Sequence, residues 1–179
     1  MGHPKLDYHQ LDEITHELFE KIDTDFTPDI IVHPGIRTRY LAHKAKDHFH
    51  TEPYIIDTKR ALPFKQAMRK IFYEMFDYVP STIARPLTEV YIKSVHSESR
   101  QPRVIQEHIE NIPRSSSVLI LDDVFCTGHT VKAVADALED IGVKDIRSGV
   151  LIFAPYNGKR PDYHILEGMY SLPWRNIGI

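Results

Sequence analysis

The stretch from Val118 to Thr130, Val-Leu-Ile-Leu-Asp-Asp-Val-Phe-Cys-Thr-Gly-His-Thr, decides how the rest of the chain is read. It opens with an apolar run short enough for a buried strand, and the run ends in two adjacent carboxylates, Asp122 and Asp123. A small loop with Thr127 and Gly128 follows, and apolar residues at helical spacing predict a helix that begins near Thr130. Strand, tight loop and helix in that order make a cradle for an anion. Gly128 lets the backbone approach closely, while the first N–H groups of the helix and the positive end of its dipole point at the ligand. The acidic pair falls at the carboxyl end of the strand, where open parallel sheets present ligands. Two acids beside an anion would repel a bare phosphate. They fit sugar hydroxyls, or a divalent cation carried with the phosphate.

Working outward, Leu11, Ile14, Leu18, Phe19 and Ile22 predict an amphipathic helix over about 9–23. Pro28 marks entry to a strand, Asp29 to His33, followed by a helix from about Thr38 to Phe49 and a strand from Pro53 to Asp57. Strand, helix and strand with short connections imply a parallel, right-handed crossover. A stripe from Phe64 to Phe76 predicts a helix over about 64–78 whose apolar face is core or subunit interface. The prolines and hydroxyl residues of 78–86 suggest a mobile loop, and Glu89 to His96 alternates as a strand does. Val104, Ile105, His108, Ile109 and Ile112 suggest a further helix leading to Pro113. Past the central stretch, a helix ending near Gly142 and a strand from Arg147 to Ala154 complete the alternation, and the aperiodic tail reads as a cap over the sheet's edge. The fold class is α/β: one doubly wound parallel sheet, core about 9–155, with a small hood from about 156–179 and the N-terminus.

Composition narrows the function. A chain of 179 residues with 42% hydrophobic and 26% charged residues has the make-up of a soluble single domain. Its net charge of −3 offers no basic excess for nucleic acid. Cys126 is the sole cysteine, so no intrachain disulfide forms, and a reducing cytoplasm is the expected compartment. No apolar segment approaches membrane-spanning length, and no membrane partner is expected. Among the eleven histidines, His43, His48 and His50 do not make a standard zinc spacing with a fourth partner. His33, at the end of the first strand, stands where it can touch a ligand.

The stretch Val118 to Thr130 resembles the phosphoribosyl-pyrophosphate (PRPP) motif of type I phosphoribosyltransferases: an apolar strand, an acidic pair, a short variable stretch, Thr-Gly, one free residue, then Thr or Ser. The resemblance implies that Asp122 and Asp123 hold the ribose of PRPP and its Mg²⁺, and that Cys126, Thr127, Gly128, His129 and Thr130 hold the 5′-phosphate. The pyrophosphate loop of that family corresponds to His33 to Arg39. Its usual paired glycines are out of register here, leaving Gly35, with Arg37 and Arg39 to grip pyrophosphate through guanidinium forks. The tail, with Pro161-Asp162-Tyr163 and later Pro173-Trp174, is similar to the hood of purine phosphoribosyltransferases, which makes Tyr163 the first base-stacking candidate and Trp174 the second.

Two positions depart from that pattern. Cys126 stands where 6-oxopurine enzymes place an aspartate, and Phe153-Ala154-Pro155 replaces the lysine that reads the 6-oxo group. The expectation is a Mg²⁺-dependent phosphoribosyltransferase acting on PRPP and a nucleobase, a purine by resemblance, and pairing as a homodimer. Its rivals are a regulator that binds PRPP or a nucleotide without turnover, a transferase for a non-purine acceptor, and a response-regulator-like fold whose acidic cluster is unrelated to PRPP.

Overall fold

The computed structural model describes residues 4–59, 103–104, 109–154 and 159–176. The helix read over 64–78, the loop over 78–86 and the strand over 89–96 lie outside the described residues.

Helix α1 (Tyr8–Asp23) begins on a capping box. The Asp7 carboxylate accepts the Gln10 N–H at 2.9 Å, and the Gln10 side-chain oxygen accepts the Asp7 N–H at 3.1 Å, which satisfies two otherwise orphaned donors. Then come β1 (Ile30–Pro34), a 3₁₀ turn (Ile36–Thr38), α2 (Arg39–Phe49), β2 (Tyr54–Ile56), β3 (Thr58–Lys59) and β4 (Arg103–Val104). The remainder comprises β5 (Ser117–Phe125), α3 (His129–Asp140), β6 (Asp145–Phe153), β7 (Tyr163–Glu167) and a closing 3₁₀ turn (Pro173–Asn176).

Among the described residues, five strands form one sheet in the order β2-β1-β5-β6-β7, with every neighbouring pair parallel. From β1 the chain winds through α2 to β2 on one side, and from β5 through α3 to β6 on the other. The direction of winding therefore reverses between β1 and β5. Right-handed crossovers then put α2 and α3 on opposite faces, and the two core clusters bear this out. Leu41 and Ala45 of α2 pack with Ile31, Leu119 and Leu121, whereas Val131, Val134 and Leu138 of α3 pack with Val32, Val118 and Ile120. Alternate residues of β5 thus feed alternate cores, as the pleat requires. Helix α1 lies on the α2 face, where Leu18, Phe19 and Ile22 are buried.

Two expectations are corrected. The tail is not merely a cap, because residues 163–167 are the fifth strand, parallel to β6. Its start is pinned by Asp162, whose carboxylate accepts the Ser148 N–H and hydroxyl at 2.7 and 2.8 Å. Val104 is not helical: it sits in β4, an antiparallel partner of β3 with Val104 opposite Thr58. Ile109 and Ile112, which share its helical spacing, are buried across a turn in which the Ile112 N–H reaches the Ile109 carbonyl at 3.0 Å. At the other end of the tail, Lys5 bridges Ser171, so the N-terminal segment and the C-terminal tail run side by side.

Candidate active site

In an open α/β sheet, ligands bind beyond the carboxyl ends of the strands at the point where winding reverses. Here that point is flanked by the loop after β1 and the loop after β5. Pro34, the last residue of β1, is level with Asp122 in the sheet, because Val32 pairs with Ile120.

The loop after β5 is built around one contact. Gly128, the N-cap of α3, has φ +71°, and a Cβ added there would lie 2.3 Å from Cζ of Phe125. The ring packs edge-on against Phe153 at 6.0 Å and is itself buried, so it fills the space beneath the turn. Glycine is required twice over, for its conformation and for the missing side chain. Among the described residues no side chain caps α3 at Gly128, and the start of a helix directs its first N–H groups and the positive end of its dipole toward the preceding loop. Asp122, Cys126, Thr127, Gly128, His129 and Thr130 line one small pocket together. Asp122 is mostly buried and accepts the Asp123 N–H at 2.9 Å. Asp123 lies on the α2 side, where Trp174 packs. There its carboxylate accepts the indole N–H of Trp174 at 3.2 Å.

The loop after β1 is held from beneath. His33 is 3% exposed, and its Nδ1 lies 2.8 Å from the Thr38 hydroxyl and 3.2 Å from the Gly35 carbonyl. The Thr38 hydroxyl also contacts the carbonyls of Pro34 and Gly35, at 3.3 and 3.1 Å. In a trans peptide the N–H points opposite to the C=O. Drawing these two carbonyls inward turns the N–H groups of Gly35 and Ile36 away from the buried pair, an orientation that suits an anion. Gly35 has φ +73°, with open space where a Cβ would stand. Arg37 and Arg39 are exposed on either side of Thr38.

Burial holds the His33 pKa below its ordinary value, the Gly35 carbonyl opposes this, and Arg39 pushes it lower still. The native state therefore binds fewer protons at this site than the unfolded chain does. Stability from neutral His33 is complete above the unfolded value of about 6.5 and is lost as the pH falls from there through the lower native value. Urea melts of wild type and His33→Gln between about pH 7.5 and about pH 5 should show a steeper loss of stability on acidification in wild type. Parallel curves would contradict this role for His33.

Trp174 reaches Asp123 from the closing 3₁₀ turn, and its ring meets that of Tyr40 at 5.6 Å. Tyr40 donates to Asp12 at 2.5 Å, and Lys44 reaches the same carboxylate at 2.6 Å. The Lys44 and Tyr40 hydrogen bonds lower the Asp12 pKa, while burial and then Asp12 hold the Tyr40 hydroxyl well above its ordinary value. The aromatic pair is thus tied to α1 and α2 together.

Tyr163, the first base-stacking candidate, is corrected. Its ring is 6% exposed in the core beneath α1, and its hydroxyl donates to Asp25 at 2.7 Å. Burial, followed by the Asp25 hydrogen bond, pushes its pKa up to about 12. A ring held in this way at the start of β7 has no face to offer a base. Ala154 is buried as well, with its N–H on the Phe125 carbonyl at 2.9 Å. Sequence reasoning missed Phe125 and Tyr40 as parts of the site. Only the requirement for a glycine at 128 hinted that something bulky lay beneath it.

A sheet of this topology, with a strand–acidic pair–Gly–helix loop at its switch point, is of the doubly wound α/β class. A family model of the phosphoribosyl transferase domain matches residues 56–178, more than half of the chain, and the chain belongs to that family. The fold is similar to that of a purine phosphoribosyltransferase from Pyrococcus horikoshii Ot3, with a TM-score of 0.64 and 19% identity over 98% of this chain and 95% of the other. It is also similar to a xanthine-guanine-hypoxanthine phosphoribosyltransferase from Helicobacter pylori (TM-score 0.63, 14% identity, 98% and 95% of the two chains). A Neisseria gonorrhoeae protein with bound ppGpp gives 0.61 at 16% identity over 100% and 93%. A relative in Natronomonas pharaonis, an HGPRTase-like protein, is 43% identical over 54 residues, which span 30% of this chain and 28% of that protein. The structural likenesses, all below 20% identity, establish the fold alone. No helix among the described residues is long and apolar enough to cross a membrane.

Proposed function

We propose that this phosphoribosyltransferase moves the phosphoribosyl group of PRPP onto a purine, giving a nucleoside monophosphate and pyrophosphate, in cytoplasmic purine salvage. The observation that carries the reading is the meeting of the acidic pair, the uncapped start of α3 and the Gly35 loop at the switch point between β1 and β5. Thr127 to Thr130 and the first N–H groups of α3 take the 5′-phosphate. Asp122 and Asp123 accept the ribose hydroxyls and present hard oxygen donors that suit Mg²⁺. Mg²⁺ carried on PRPP would neutralise the leaving pyrophosphate. The outward N–H groups of Gly35 and Ile36, with Arg37 and Arg39, receive that pyrophosphate. As the bond from C1′ to pyrophosphate breaks, positive charge develops on the ribose, and in this reading the two carboxylates would stabilise it. Catalysis then consists of positioning and charge stabilisation, and no side-chain nucleophile is required.

Trp174 is the base platform in this reading, since its ring lies against Tyr40 and its N–H ties it to Asp123. Trp174→Ala should weaken purine binding by about 1–3 kcal/mol, a rise of about 5- to 150-fold in KM for the base. Trp174→Phe keeps a ring and removes the N–H, so it should retain most base affinity. Equal losses in the two variants would assign Trp174 to holding Asp123 instead.

A second reading is favoured by Cys126 and buried Ala154, which supply neither an aspartate nor a lysine to read a 6-oxopurine. It makes the protein a regulator that binds PRPP or a nucleotide at the same edge without turnover.

A further inference from the structure

His16 and Glu20 are four residues apart on α1 and so share one face of the helix. His48, in the last turn of α2, lies against them. One ligand atom from each of the three lies within 4.8 Å of the others. We propose that His16, Glu20 and His48 form a site for a divalent transition metal, with Zn²⁺ the best-suited ion, that staples α1 to α2. Two imidazoles and a carboxylate are a donor set for Zn²⁺, whereas Mg²⁺ prefers oxygen ligands alone. The site is therefore chemically separate from the Mg²⁺ carried with PRPP.

Its parts are unevenly prepared, as a site that closes on its ion would be. The His48 ring is already fixed: Nε2 lies 2.7 Å from the Asp23 carboxylate, and the ring packs against Phe19 at 5.2 Å and Phe49 at 4.7 Å. A carboxylate partner of this kind is how proteins orient a metal-binding histidine. His16 and Glu20 are exposed, and neither has a hydrogen-bond or ion-pair partner among the described residues. Ligand atoms around tetrahedral Zn²⁺, each about 2.0–2.2 Å from the ion, lie closer together than 4.8 Å. His16 and Glu20 are exposed, so rotation of their side chains is the movement by which the site would close on its ion. The staple would act at the end of α2 remote from the Gly35 loop, roughly 14 Å along the helix from Arg39.

The test titrates Zn²⁺ alone into the metal-free full chain by calorimetry and follows thermal melting in parallel. Wild type should bind one equivalent and melt at higher temperature with Zn²⁺, but not with Mg²⁺. His16→Ala and Glu20→Ala, both at exposed positions, should each weaken binding at least tenfold and abolish the shift in melting. His43→Ala, on the same helix as His48 and 3.4 Å from Asp47, should bind as wild type does. Absence of stoichiometric Zn²⁺ binding in wild type, or binding that His16→Ala and Glu20→Ala leave unchanged, would overturn the proposal. Neither outcome bears on PRPP, which is measured separately with Mg²⁺.

Discussion

Replacing Asp122 and Asp123 together by asparagine should give a folded chain that no longer holds PRPP. Each carboxylate would lose a charge-assisted hydrogen bond to a ribose hydroxyl, and such bonds contribute about 1.5–3 kcal/mol each. The pair together corresponds to a loss of about 150- to 25,000-fold in affinity. The fold should survive, because the side-chain oxygen of an asparagine in place of Asp122 can still accept the Asp123 backbone N–H bond, which asparagine at that next position also donates. Calorimetry with PRPP and Mg²⁺, beside circular dichroism, checks both halves. Wild-type affinity in the folded double variant would remove the acidic pair from the site.

Gly128→Ala should be strongly destabilising, more so than an alanine at Gly35, where a Cβ meets open space. A left-handed conformation costs a non-glycine residue about 1–2 kcal/mol. The new methyl would also stand 2.3 Å from Cζ of Phe125 and 2.9 Å from Cε1, so the ring must leave its packed position against Phe153. Overpacking of that kind adds about 1–3 kcal/mol. A total of about 2–5 kcal/mol would lower the melting temperature by about 4–20 °C in a domain of this size. Phosphate affinity should fall with it, because the first turn of α3 moves with the ring. Phe125→Leu in the same chain should recover the part due to the clash and leave the conformational part. A wild-type melting curve for Gly128→Ala would contradict this account of the loop.

What the sequence reveals, and what it hides, follows from how local each signal is. The β5 loop is readable because every part of it is contiguous: an apolar run, two acids, a glycine and a helix stripe between Val118 and Leu138. The boundaries of α1, α2, β1 and β6 fall within a few residues of expectation for the same reason. Tyr163 misleads because its role depends on distant residues. Its strand is short, lies at the sheet's edge and alternates weakly, and its hydroxyl partner Asp25 is 138 residues away. An aromatic residue in an aperiodic tail looks the same whether α1 covers it or a ligand does. Val104 misleads because a residue at helical spacing from buried Ile109 and Ile112 is instead paired with Thr58 in a short antiparallel ladder, a partner far away in sequence. The support beneath the Gly35 loop is only half legible: His33 can be placed at a strand end, but its bond to Thr38 cannot.

The most direct test of the central claim is pyrophosphate release from PRPP and Mg²⁺ with a panel of bases, in wild type and in the Asp122→Asn, Asp123→Asn variant. The account predicts release that depends on a purine, is negligible with pyrimidines, and disappears in the variant. Tight PRPP binding by wild type without pyrophosphate release from any base would contradict it and leave the regulator reading in its place.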